Sequence, residues 1–172
     1  EKGRISMTDE SVFEVGRNIA TTEGAVVFEN ELMQLVQYAP LTPKVGTRPL
    51  VVVPPCINKF YIMDLQPDNS LIRFMVEQGN TVFLVSWRNP TEAHGHLTWE
   101  DYLEHGPIAA LHVAQEICKV KQVNALGFCV GGTILTSALA VLKGRGEDIV
   151  AARADRQVGI GNVQGVTCCG CI

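Results

Sequence analysis

Three short apolar runs place the strongest limit on what this chain can fold into. They are residues 49–53 (PLVVV), 81–87 (TVFLVSW) and 122–128 (QVNALGF). A run that does not alternate with polar residues is buried on both faces, which is the condition of an interior strand in a parallel sheet. The first is ended by Pro54-Pro55 and the second by Arg88-Asn89-Pro90. Between the first two, residues 69–78 carry Leu71, Ile72, Met75 and Val76 at helical spacing, and Gly79 is placed to stop that helix. Between the second and third, residues 99–120 carry Leu103, Ile108, Leu111, Ala114, Ile117 and Cys118 at mainly three- or four-residue spacing, with a kink expected at Gly106-Pro107. A further helix is expected over 133–142.

Strand and helix therefore alternate three times, which predicts an α/β fold: a parallel sheet between two helical layers. Residues 25–38 (AVVFENELMQLVQY) read as two additional β-rich runs turning at Glu29-Asn30, an antiparallel entry to the same sheet. From Lys143 onward no apolar run of strand length follows. The fold is expected to stop mid-sheet after the third helix, with residues 1–148 forming part of one domain and 149–172 an atypical tail.

Composition narrows the function classes. With 172 residues, 47% apolar and a net charge of −4, the chain is globular and has no basic stripe for a phosphate backbone, so nucleic acid is set aside as a partner. Cys56, Cys118 and Cys129 stand apart while Cys168, Cys169 and Cys171 crowd the end, a distribution unlike a secreted disulfide framework. The start, Glu1-Lys2-Gly3, has neither an initiator Met nor a signal-peptide layout, and we read it as part of a longer protein in a reduced, cytosolic setting. Residues 123–142 have the length of a membrane span, but Asn124, Thr133, Thr136, Ser137 and three glycines fit a buried strand, tight turn and helix better.

The residues that carry chemistry sit at that turn. Gly127-Phe128-Cys129-Val130-Gly131-Gly132 is a G-x-C-x-G pattern between a predicted strand and a predicted helix. A nucleophile on such a sharp elbow needs neighbours without side chains, here Gly127 and Gly131, so that backbones can approach. A helix N-terminus favours thiolate over thiol and presents the Val130 N–H as an oxyanion donor. The competing reading is a small buried cysteine beside a glycine-rich turn. In this architecture the loop after the first buried strand supplies a second oxyanion donor. That assigns the role to Ile57 or a neighbour, with Cys56 a candidate for lining the entrance; an ordinary Pro-rich loop reads equally well. The tail's Gly159, Gly161 and Gly165 have no helix after them, and Cys168, Cys169 and Cys171 lack paired CxxC spacing and a fourth ligand, so neither marks a dinucleotide or metal site.

Several blocks together resemble the class I polyhydroxyalkanoate synthases: residues 7–30 (MTDESVFEVGRNIATTEGAVVFEN), PPCINKFYIMDLQP, EQGNTVFLVSWRNP and LGFCVGGT. The likeness runs to Asp148, beyond which the composition turns to Arg, Gly and Cys, as a shifted reading frame would produce. It implies a three-layer α/β-hydrolase-type core, truncated after the nucleophile elbow. It further implies polymerisation of (R)-3-hydroxyacyl-CoA, short-chain such as 3-hydroxybutyryl-CoA, into a polyester with release of CoA through a Cys129-bound acyl group. No cofactor is implied; the CoA thioester is substrate. The implied partners are the growing polyester, the cytoplasmic granule surface and a second copy in a homodimer. The family's general base is a His oriented by an Asp, both after the nucleophile. Here His94, His96, His105 and His112 all precede Cys129, and Asp148 and Asp155 follow it too closely, so the triad Asp and His are expected to be absent from this chain and turnover by it alone is not expected. Two other readings stay open: a cysteine hydrolase of the same architecture, of thioesterase or dienelactone hydrolase type, and a non-catalytic granule-binding remnant.

Overall fold

The structure, a computed structural model, describes residues 10–151 and the backbone of residues 166–169. Its strands in chain order are β1 (Gly24–Glu29), β2 (Met33–Tyr38), β3 (Leu50–Val53), β4 (Asp64–Gln66), β5 (Asn69–Ser70), β6 (Val82–Trp87), β7 (Asn124–Phe128) and β8 (Val166–Cys169). The helices are α1 (Leu71–Glu77), α2 (Trp99–Leu103), α3 (Ala109–Cys118) and α4 (Val130–Gly144), with a π-helical segment, Glu104–Ile108, joining α2 to α3.

Six strands form one sheet in the order β1-β2-β6-β3-β7-β8, and β4-β5 form a small separate hairpin. The pairs of β3 with β6, β3 with β7 and β7 with β8 are parallel, while β1-β2 and β2-β6 are antiparallel. The three apolar runs are thus the middle of the sheet, flanked by the predicted antiparallel entry. The first two are buried on both faces as their lack of alternation implies, whereas β7 alternates buried with half-buried residues. Val51, Val53, Phe83 and Val85 pack on one face with Leu103, Leu111, Ile134 and Leu135, and Val52, Val82 and Leu84 pack on the other with Ile72, Met75 and Val76. Each such aliphatic side chain, fully buried, stabilises the fold by about 1.5–3 kcal/mol.

The expectation that no strand follows the third helix is corrected: Val166–Cys169 pairs in parallel with β7, from Ala125 opposite Val166 to Phe128 opposite Cys169. A four-residue strand of Val, Thr and Cys is too short for the apolar-run criterion, although Val and Thr favour extended backbone. Nearer α4, Ile149 and Ala151 already run beside Val123, whose N–H donates to the Ile149 carbonyl while its carbonyl accepts from the Ala151 N–H, both at 2.9 Å. The tail glycines and Cys171 lie outside the described residues. No helix of the described residues is long and apolar enough to cross a membrane; residues 123–142 are β7 with the residue before it, a sharp turn and most of α4.

The predicted kink is present, with Gly106 at φ −100°, ψ −107° and Pro107 beside it without an N–H to give. Gly79, at φ +80°, ends the turn after α1 in the left-handed conformation that glycine adopts without steric cost.

Asp64 is the buried charged residue among those described, and it ties three segments together. Its Oδ1 accepts from the hydroxyls of Thr22 and Ser70, each at 2.6 Å, and its carbonyl accepts from the Ala20 N–H at 2.9 Å. Ser70 in turn caps α1, its Oγ accepting from the Arg73 N–H at 2.9 Å. Close by, Tyr38 is buried with its hydroxyl unbonded to any described residue. Burial first, and the negative charge of Asp64 second, push its phenol well above the ordinary tyrosine range.

Three outcomes follow from these contacts. Asp64→Ala, which takes the acceptor from two half-buried hydroxyls, should cost about 1–3 kcal/mol in urea unfolding. Tyr38→Phe should be neutral or mildly stabilising at neutral pH because it removes an unbonded buried hydroxyl. Because the folded phenol keeps its proton while the unfolded one ionises near pH ~10, stability falls as pH rises past that point; Tyr38→Phe should flatten the decline, and an unchanged alkaline slope would contradict the assignment.

Candidate active site

Strand order reverses around β3. The chain leaves β3 for β6 on one side, then crosses to β7 on the other, with α1 packed on one face and α2 to α4 on the opposite one. The carboxyl ends of the strands at such a switch point border a crevice where ligands of open α/β sheets bind. In register, Val53 at the end of β3 lies opposite Gly127 near the end of β7. The loop holding Cys56 and Ile57 and the turn holding Cys129 therefore emerge side by side, though 73 residues separate Cys56 from Cys129.

The turn has the strained geometry that a nucleophile elbow requires. Cys129 sits at φ +54°, ψ −127° between β7 and α4, a conformation rarely adopted outside glycine. Its carbonyl accepts from the Gly132 N–H at 2.9 Å, and its thiol side chain is partly buried. Backbones crowd around it. A Cβ on Gly131 would fall 2.1 Å from the Val53 carbonyl oxygen, and one on Gly127 would fall 2.4 Å from the Gly132 Cα. Both predicted elbow glycines are therefore sterically required. Gly132 adds a close approach to which no role was attached from sequence; its only signal was its place in the Gly-Gly pair. Val130 is the first residue of α4, so its N–H has no carbonyl one turn back to bond.

In the loop, Pro54 and Pro55 have no N–H and both are buried. The Asn58 N–H closes a turn onto the Pro55 carbonyl at 3.3 Å. The N–H groups of Cys56 and Ile57 have no hydrogen bond to another described residue, and the Ile57 side chain is exposed. Burial pushes the Cys56 thiol up, its own N–H opposing; burial alone does the same to Cys118, which packs at the end of α3 against the core. A contact that sequence offers no sign of anchors this loop: the Trp87 indole N–H donates to the Pro54 carbonyl at 2.8 Å, buried and 33 residues distant.

The histidines are engaged elsewhere. His94 Nδ1 bonds Thr91 at its own cap, His96 Nδ1 lies 2.9 Å from the Ala93 carbonyl, and His112 Nε2 lies 2.9 Å from Glu147 on the surface. His105 belongs to the kinked segment between α2 and α3. Among the described residues no group of three His, Cys, Asp or Glu is placed to hold a metal ion.

The elbow geometry separates two glycine substitutions. Gly131→Ala, which drives a methyl into fixed backbone, should cost about 3 kcal/mol or more in urea unfolding, whereas Gly144→Ala, at the exposed end of α4 with open space around it, should be neutral or gain up to about 1 kcal/mol. Equal effects at the two sites would rule out the close approach.

Known proteins share both fold and sequence with this chain. Among solved structures, the HSL homologue EstE7 from a metagenome library has a TM-score of 0.54 and 14% identity, over 82% of this chain and 45% of that one. A thermostable esterase from Pseudomonas putida ECU1011 has a TM-score of 0.53 and 17% identity, over 78% and 42%. At such identities the likeness speaks to the fold, which is that of an α/β-hydrolase core. In sequence, the model of the family described as "Poly-beta-hydroxybutyrate polymerase (PhaC) N-terminus" matches residues 1–75. The chain is 64% identical over 151 residues to the "Poly(3-hydroxyalkanoate) polymerase subunit PhaC" of Cupriavidus necator, covering 88% of this chain and 26% of that protein. It is 49% identical over 137 residues to the "Poly(3-hydroxyalkanoate) polymerase" of Methylorubrum extorquens, covering 80% and 23%. The chain thus spans about a quarter of the length of the curated relatives it matches. Because the identity extends over twice the length of the N-terminal family match, into the sheet and helices that build the elbow, the chain belongs to the poly-beta-hydroxybutyrate polymerase (PhaC) family.

Proposed function

We propose that this chain supplies the nucleophile and oxyanion donors of a polymerase that joins (R)-3-hydroxyacyl groups from CoA thioesters into a polyester, with short-chain substrates such as 3-hydroxybutyryl-CoA. The observation that carries the reading is the placement of Cys129 at left-handed φ on the turn between β7 and α4. The names of the relatives, poly(3-hydroxyalkanoate) polymerases, supply the reaction class.

Cys129 Sγ, as thiolate, attacks the thioester carbonyl; the C–S bond to CoA breaks and CoA leaves as its thiol after protonation. The tetrahedral oxyanion is held by the Val130 N–H and the Ile57 N–H, and Cys56 lines the approach. Thioester exchange is close to thermoneutral and keeps the acyl group activated. The 3-hydroxyl of a second unit then attacks the Cys129 thioester, its proton goes to a base, and a more stable oxoester forms as Sγ is released. Cysteine suits this carrier role because a serine ester would hold the acyl group too firmly. The base is a His oriented by an Asp that the 172 residues do not supply, so these residues alone do not turn over. The chemistry calls for no metal or organic cofactor. The complete polymerase works as a homodimer on polyester granules in the cytoplasm.

Mass spectrometry after incubation with 3-hydroxybutyryl-CoA tests this directly. In a full-length polymerase carrying this segment, an acyl adduct on Cys129 is expected, and Cys129→Ala should lower polymer formation by at least about 10³-fold. The 172 residues alone should give no turnover. An adduct on another residue, or polymer formed by Cys129→Ala, would refute the nucleophile assignment; free hydroxy acid in place of polymer would favour a thioesterase.

A further inference from the structure

Trp87 ends β6, outside both segments that carry the reacting groups, yet three of the elements around the elbow meet on its side chain. The indole N–H donates to the Pro54 carbonyl at 2.8 Å. The same Pro54 backbone is the surface on which the elbow rests, since a Cβ on Gly131 would lie 2.7 Å from both the carbonyl carbon and the carbonyl oxygen of Pro54. On its other side the ring fills the kink between α2 and α3. A Cβ on Gly106 would fall 2.4 Å from the far corner of the indole, and Tyr102 lies against the ring with centroids 5.8 Å apart. The π-helical segment and the glycine at its centre are what admit the ring, and π segments inside helices recur at functional sites.

Pro54-Pro55 makes this anchor necessary. Two consecutive residues without an N–H can hold neither strand nor helix hydrogen bonds from their nitrogens, so this stretch is tied down through its carbonyls. The Pro54 carbonyl is set by Trp87, and three residues later comes the Ile57 N–H. Resting on the oxyanion role assigned above to Ile57 and Val130, we propose that Trp87 is the positioning residue of the oxyanion hole, its indole N–H fixing the β3 loop against the elbow so that the two backbone donors converge on one oxygen. Trp87 touches no reacting atom; it acts through Pro54.

The test uses a full-length polymerase carrying this segment, with Trp87 replaced by 3-benzothienylalanine, which keeps the bicyclic shape but has sulfur where the N–H was, and by 5-fluorotryptophan, which keeps the donor. Trp87→Phe is the genetically simpler companion, and the near-isosteric replacement keeps the test intact if Phe impairs folding. kcat and KM for 3-hydroxybutyryl-CoA, the melting temperature and the Cys129 adduct are measured on each. Loss of the donor should lower kcat about tenfold or more with KM within about twofold, as removal of a transition-state interaction does, and 5-fluorotryptophan should restore it. An unchanged kcat for the benzothienyl protein, or an equal loss with 5-fluorotryptophan, would overturn the role. Absence of a Cys129 adduct in the unsubstituted enzyme would instead refute the underlying nucleophile assignment, so the two failures are distinct.

Discussion

The contact of the elbow with the end of β3 governs how everything else near the site is arranged. Gly131 lies so close to the Val53 and Pro54 carbonyls that no side chain fits between them. That approach is possible because β3 and β7 are adjacent parallel strands with Val53 opposite Gly127. It brings the first turn of α4 down onto the loop that leaves β3. The strained φ of Cys129 is a consequence: a strand that must turn at once into a helix packed back over its neighbour has no relaxed path. Surrounding structure has to over-determine such a residue, and the layers on both faces of β3 and β7 do so.

The two cores divide the work. The larger one, between the sheet and α2 to α4, encloses the elbow helix and the kinked segment. The smaller one, around α1, Tyr38 and Met63, is closed by Asp64 and its hydroxyl partners, which lock the N-terminal segment and the β4-β5 hairpin to the start of α1. A buried carboxylate is an expensive anchor unless it is bonded; here Oδ1 takes two bonds, from segments 42 and 6 residues away in sequence, while the buried Oδ2 has no hydrogen bond to a described residue. Family membership agrees with this layout: the matched N-terminal region, residues 1–75, is the part that builds β1 to β5, most of α1 and the loop after β3.

Much of the site could be read along the chain. Gly127, Cys129 and Gly131 are spaced as a sharp strand-to-helix turn requires, and the clashes at both glycines show why. The runs of residues 49–53 and 81–87 are buried on two faces as their lack of alternation implies, and the Gly106-Pro107 break in the long helix is where the dihedral angles depart from helix. The short strand β8 was not legible, because four residues of moderate hydropathy carry no period. Nor was the burial of Asp64, since a lone Asp in a short polar stretch looks the same whether it is solvated or buried.

Periodicity, glycine spacing and family blocks are properties of neighbouring residues, and these were enough to give the class of fold and to mark Cys129 on a sharp strand-to-helix turn as the candidate nucleophile. Which strands lie side by side is a property of the folded chain. Only the order β6-β3-β7 brings the elbow glycine Gly131 onto the end of β3, and only the packing of the kinked helix against β6 aims the Trp87 indole at Pro54. Approaches between residues as far apart in sequence as Trp87 and Pro54, or Gly131 and Val53, depend on strand order and on the faces to which crossovers deliver their helices. Local sequence patterns leave both undetermined, because the same periods suit many orders of the same strands.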